Sequence, residues 1–121
     1  MAQKNALPKQ ANVFEPGRLL QVLDGDLQAA REILAEAISA IQELVLKISS
    51  ELAAGNVPST LALAHELKGV AANVGAGELS SLSGTILERL RRSSKIQPQG
   101  ALEDLLAAFN RFDNEASAFL S

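Results

Sequence analysis

Cysteine, tryptophan and tyrosine are absent from this 121-residue chain, and histidine and methionine occur once each. Without cysteine there is no disulfide, no thiolate nucleophile and no cysteine-ligated zinc. A single histidine leaves too few nitrogen donors for a transition-metal centre, so none is expected. No run of 18 or more apolar residues occurs, and the N-terminus lacks an apolar signal core. A cytoplasmic protein without direct membrane contact is therefore expected. Positive charge is not in excess either: the net charge of −3 argues against nucleic acid as the main partner, because phosphate binding draws on a basic surface. No segment alternates polar and apolar residues with a period of two, so no sheet is predicted.

What the chain does have is alanine and leucine. Hydrophobic residues are 47% of it and charged residues 21%, an ordinary globular balance and not a disordered one. The length suits one domain with a real core. Residues 1–13 read as a flexible N-terminal tail and residues 14–121 as the folded domain. "FEPGRLLQVLDGD" suggests one or two helical turns over residues 16–23, followed by an Asp24-Gly25-Asp26 break in which either aspartate is suited to cap the next helix. Residues 27–54 repeat Leu27, Leu34, Ile41 and Ile48 every seven positions, with Ala30, Ala37, Leu44 and Glu51 in the partner positions and Val45 and Leu52 widening the stripe. Gly55 is placed to end that helix, and Pro58 to open the next, which runs to Val74 before Gly75.

A fourth helix begins near Gly77, carries Leu79, Leu82, Ile86 and Leu90 on one side, and ends in "RLRRSSK". Its serines and Gly84 make it intrinsically weak. "IQPQG" reads as a loop. A last helix over residues 102–120 turns Leu102, Leu105, Leu106, Phe109, Phe112, Ala116 and Phe119 inward. Short links between four long amphipathic helices make sequence neighbours antiparallel. The expected fold is all-α: an antiparallel up-down four-helix bundle with a short extra N-terminal helix.

The one histidine lies in "AHELKG" (64–69), in the middle of the third helix. At 100° per residue, Leu63, Leu67, Val70 and Val74 form the apolar stripe, and His65 lies on the opposite side beside Leu61, Lys68, Gly69 and Ala72. Taken alone, an exposed helix histidine is an ordinary surface residue, a lysine beside it a solvated one, and a glycine a concession to packing. Together they fit a more specific use. A glycine one turn on costs the helix about 1 kcal/mol relative to alanine, yet it leaves room for something large to reach the imidazole. A convex helix face has neither the pocket nor the orienting carboxylate of an acid–base site. It suits a ring nitrogen that accepts a phosphoryl group, with the Lys68 ammonium attracting the phosphoryl oxygens.

The segment "LALAHELKGVAANVGAGELSSL" (61–82) resembles the signature of histidine-containing phosphotransfer (HPt) domains: an alanine-histidine pair, leucine-lysine-glycine, a run of small residues, a helix-ending glycine and a leucine-bearing helix. "LDGDLQAAREIL" and "AAGN" are similar to that family's entry into its long helix and the turn before its active helix. The chain departs from the pattern in the fourth helix, where a glutamate comes at Glu88, one position late. The resemblance implies that His65 is phosphorylated, that Lys68 is its charge partner and Gly69 its space-maker. It implies no cofactor on this chain, with magnesium on the partner, and partners that are response-regulator receiver domains and a hybrid histidine kinase. Leu61 and Ala72 would form the dry contact, and Arg89, Arg91, Arg92 and Lys95 are candidates for docking an acidic rim, beside their simpler role at a helix end. A carrier is not an enzyme of its own, and no GxxxxGK phosphate loop is present. A monomer is expected. The competing reading is a helical binding module that docks a receiver or another signalling protein without being phosphorylated.

Overall fold

The computed structural model describes residues 12–93 and 98–121, and in them five helices and no strand: α1 (Pro16–Val22), α2 (Leu27–Ala53), α3 (Val57–Asn73), α4 (Gly77–Ser93) and α5 (Pro98–Leu120). The helix ends follow side-chain chemistry. Asp26 is the aspartate that caps α2, its Oδ1 accepting from the Ala29 N–H at 3.0 Å. At the other end Gly55, at φ 76°, donates to the Leu52 carbonyl while Asn56 donates to that of Glu51, the paired reverse bonds that close a helix through a left-handed residue. Asn56 then caps α3, and its Nδ2 donates to Glu51 Oε1 at 2.7 Å. Pro58 falls in the first turn of α3, where a missing N–H costs nothing.

The last helix begins earlier than the sequence suggests. Residues 98–100 belong to α5 and not to a loop, because Pro98 opens the helix as Pro58 does in α3. Lys95 lies outside the described residues.

The four long helices close a ring: α2 packs on α3 and α5, α3 on α4, and α4 on α5. Residues 54–56 and 74–76 are the whole links between α2, α3 and α4, so each helix turns back along its predecessor. The periodicity of α2 is realised in Ala30, Leu34, Ala37, Ile41, Leu44, Val45, Ile48 and Leu52, all buried. Leu27, by contrast, remains 43% exposed at the helix start. Each fully buried leucine or isoleucine contributes about 1.5–3 kcal/mol, so truncating Leu34 or Ile41 to alanine is the kind of single change that costs about 2–5 kcal/mol. In α5, Leu105, Ala108, Phe109, Phe112 and Ala116 are buried, whereas Leu106 is 43% exposed and not inward. Ala108 lies on the buried side of α5, which packs on both α2 and α4.

The chain before α1 is tied to the bundle from residue 12 onward. The Glu78 N–H donates to the Asn12 carbonyl at 2.8 Å and the Glu15 N–H to the Gly75 carbonyl at 2.9 Å. Val13 packs on the core, and the Phe14 ring meets those of Phe112 and Phe119 edge-on at 5.8 and 5.9 Å. Contact with the bundle thus already begins at Asn12 and Val13. A forked ion pair joins α5 to the start of α4, with Arg111 Nε and Nη2 at 3.0 and 2.7 Å from the Glu78 carboxylate, whose hydrogen bond and charge hold the guanidinium above its ordinary pKa.

Candidate functional site

Helix α3 buries Thr60, Ala64, Leu67 and Ala71, with Val74 at its end. The apolar face is thus turned by roughly 50° from the expected stripe of Leu63, Leu67, Val70 and Val74, and Leu63 and Val70 are only half-buried. Side-chain size explains the difference. Hydropathy favours the large residues, but the face that α3 turns into the bundle carries Thr60, Ala64 and Ala71, and the buried Thr60 hydroxyl donates to the Asn56 carbonyl at 2.8 Å. The rotation leaves the outward crest in place: Ala62, His65 and Gly69 are exposed.

His65 makes no hydrogen bond or ion pair among the described residues. A Cβ built on Gly69 would meet nothing within 4 Å. No neighbouring helix uses that glycine, so the space beside the imidazole opens to solvent. Leu61 and Ala72 are half-buried on the flank of the crest that faces α4, with Leu61 packed on the core.

Lys68 is held in a way the sequence did not suggest. Its stem lies over Gly84 of α4, so that a Cβ at Gly84 would stand 3.6 Å from Lys68 Cε and 3.7 Å from Nζ. The Ser80 hydroxyl donates to the Lys68 carbonyl at 3.1 Å. The residues that weaken α4 are therefore those that let α3 lie close and give the lysine a bed. Gly77, Ser80, Ser81 and Gly84 recur at three- and four-residue spacing, a row of small residues along one helix face. That row was the available signal.

Between α3, α4 and the chain around α1 this packing leaves an open groove of about 460 Å³, into which Lys68, Arg18, Ser80 and Ser81 face. A second groove of about 530 Å³ runs on the α2 side, lined by Lys47, Ser59 and Leu63 among others. His65 stands on the ridge between them. Gly75 closes the first groove at its end. It adopts φ 84°, and a Cβ there would collide with the Glu15 carbonyl. The glycine that ends α3 is also what lets the N-terminal segment pass so close.

Arg89, Arg91 and Arg92 are exposed on α4 but do not line the Lys68 groove. They lie five to eight residues past Gly84, roughly 8–12 Å along the helix, and Arg92 bonds Glu88 at 3.2 Å. The structure therefore gathers His65, Lys68, Gly69 and Ala72 with Ser80 and Gly84, and sets the arginines apart. Among the described residues no three histidine or acidic side chains cluster to hold a metal ion, and no helix is long and apolar enough to cross a membrane.

Comparison with known proteins agrees with this geometry. The sequence matches the Hpt domain family over residues 21–118, from the end of α1 nearly to the end of α5. Comparison with curated proteins found no match, nor did comparison with solved structures. A match that spans the four-helix ring and the exposed histidine ridge places the chain in the Hpt domain family, helical phosphocarriers that serve phosphotransfer with receiver domains in two-component signalling.

Proposed function

We propose that this protein is a phosphorelay intermediate in which His65 takes a phosphoryl group from a receiver-domain aspartate and passes it to a second receiver. The observation that carries the reading is that a family of phosphocarriers is represented here by a chain with one histidine, and that histidine is exposed and has no partner among the described residues. In the forward step one ring nitrogen attacks the phosphorus of an aspartyl phosphate. The P–N bond forms as the P–O bond to the carboxylate breaks, the electron pair stays on the aspartate, and solvent takes up the proton from the exposed ring. The return step reverses these changes on another aspartate. The receiver brings its own magnesium, so this chain needs no cofactor.

In this reading Lys68 supplies positive charge for the phosphoryl oxygens. Gly69 leaves the approach clear, and Leu61 and Ala72 exclude water at the contact. Arg89, Arg91 and Arg92 attract the acidic rim of the receiver from a distance, acting on the encounter rate more than on affinity. The upstream source is a hybrid histidine kinase, the protein acts as a monomer, and its compartment is the cytoplasm, where such partners work.

The test is transfer from a receiver domain phosphorylated with acetyl phosphate, followed by mapping of the label. Acid-labile, alkali-stable label on His65, lost in His65→Gln with an unchanged thermal melt, is the expected result. Label that persists in His65→Gln sinks the assignment. Binding of the receiver without any label leaves the docking-module reading instead.

A further inference from the structure

Arg18 and Lys68 face one groove, and neither forms an ion pair among the described residues. Arg92 and Arg111, by comparison, are paired with Glu88 and Glu78. Glu15 is the only carboxylate in the lining, and it too forms no ion pair. Two cations against this one carboxylate leave the lining net positive, and the concavity focuses that potential. Lys68 rests on Gly84, and the α1 backbone that carries the exposed Arg18 is anchored next to Gly75 through the Glu15 N–H and the buried Leu19. The exposed Ser81 adds a hydroxyl. This arrangement is complementary to a carboxylate.

The groove is open along its length, so a small free oxyanion in it would keep most of its water. An occupant that displaces that water has to arrive attached to something larger. Along α3 the groove begins at Lys68, one turn from His65, and reaches Ala72, which is seven residues or roughly 10 Å from His65. A standard protein interface covers about 800 Å² on each partner. Centred on His65, such a footprint extends roughly 16 Å in every direction and includes the groove. We infer that this groove receives an acidic side chain of the receiver domain that docks over His65, and that Arg18 is its specificity-determining cation. The inference rests on the function proposed above.

Two phosphodonors separate the two claims. One is a receiver domain phosphorylated with acetyl phosphate; the other is phosphoramidate, which is too small to reach from His65 into the groove. Arg18→Ala is expected to raise KM for the phosphorylated receiver roughly fivefold with kcat held, and Arg18→Glu to raise it further. Arg18→Lys is expected to recover most of the loss. Labelling of His65 by phosphoramidate and the thermal melt stay the same in all three. Unchanged KM in both Arg18→Ala and Arg18→Glu overturns the docking role alone, since His65 is still labelled. Equal losses with both donors also overturn it, because Arg18 would then act on the histidine or the fold. Saturable binding of inorganic phosphate at Arg18, seen by NMR without the receiver, would assign the groove to a free oxyanion instead. Wild-type protein that takes label from neither donor removes the function and this docking role together.

Discussion

Replacing Gly69 separates folding from access more sharply than any other change in this protein. Glycine in a helix interior is about 0.8–1.0 kcal/mol less favourable than alanine. That full difference is available here, because Gly69 is exposed, its φ is not positive, and an added Cβ meets nothing within 4 Å. Gly69→Ala is therefore expected to stabilise the bundle by about 1 kcal/mol, a rise in melting temperature of roughly 4 °C for a domain of this size. Gly69→Leu is expected to fold with nearly the same gain, since leucine is also a good helix former. Its side chain, however, stands one turn from His65 on the same surface and lifts an incoming aspartate away from the ring. A displacement near 1 Å is enough to slow transfer roughly hundredfold. Urea unfolding measures the first effect and receiver-dependent transfer the second. A loss of stability in Gly69→Ala would show that the glycine serves packing. A Gly69→Leu protein that folds and transfers at the wild-type rate would remove steric access from the mechanism.

Gly75 is expected to respond in the opposite sense. Its φ of 84° and the Glu15 carbonyl in the path of a Cβ make Gly75→Ala destabilising by about 2–4 kcal/mol, combining left-handed strain with loss of a backbone hydrogen bond; urea titration that shows no change would refute the close crossing. Lys68→Ala is expected to slow transfer roughly ten- to hundredfold without abolishing it, and an unchanged rate at low salt would leave Lys68 a solvated surface lysine. Arg111→Ala breaks a half-exposed ion pair, so the small loss in melting temperature it causes is expected to shrink as salt is added. A loss that is independent of salt would mean that the arginine stem acts by packing.

Much of the fold could be read in advance because periodicity is a local property. Leu34, Ile41 and Ile48 announce the buried face of α2, Asp26 and Gly55 mark its ends, and the absence of period-two segments excludes a sheet. The ridge around His65 was legible for the same reason: residues at i, i+3 and i+4 share a helix surface whatever surrounds it. Composition also narrows the site, since a chain with one histidine and no cysteine offers a single imidazole.

What depends on helices meeting could not be read this way. Hydropathy ranks Leu63 and Val70 above Thr60, Ala64 and Ala71, yet the small residues are the buried ones in α3, which packs between α2 and α4. In α5, Ala108 is buried while the larger Leu106 is exposed. In sequence Gly84 only weakens α4, whereas in the fold Lys68 lies over it, and Arg18, which belongs to no motif, reaches the α3–α4 groove because Glu15 and Gly75 tie α1 there. A helical wheel records the direction of each side chain from its own axis. Which of those directions is filled by a neighbour depends on contacts between residues far apart in the chain, and only the assembled bundle supplies them.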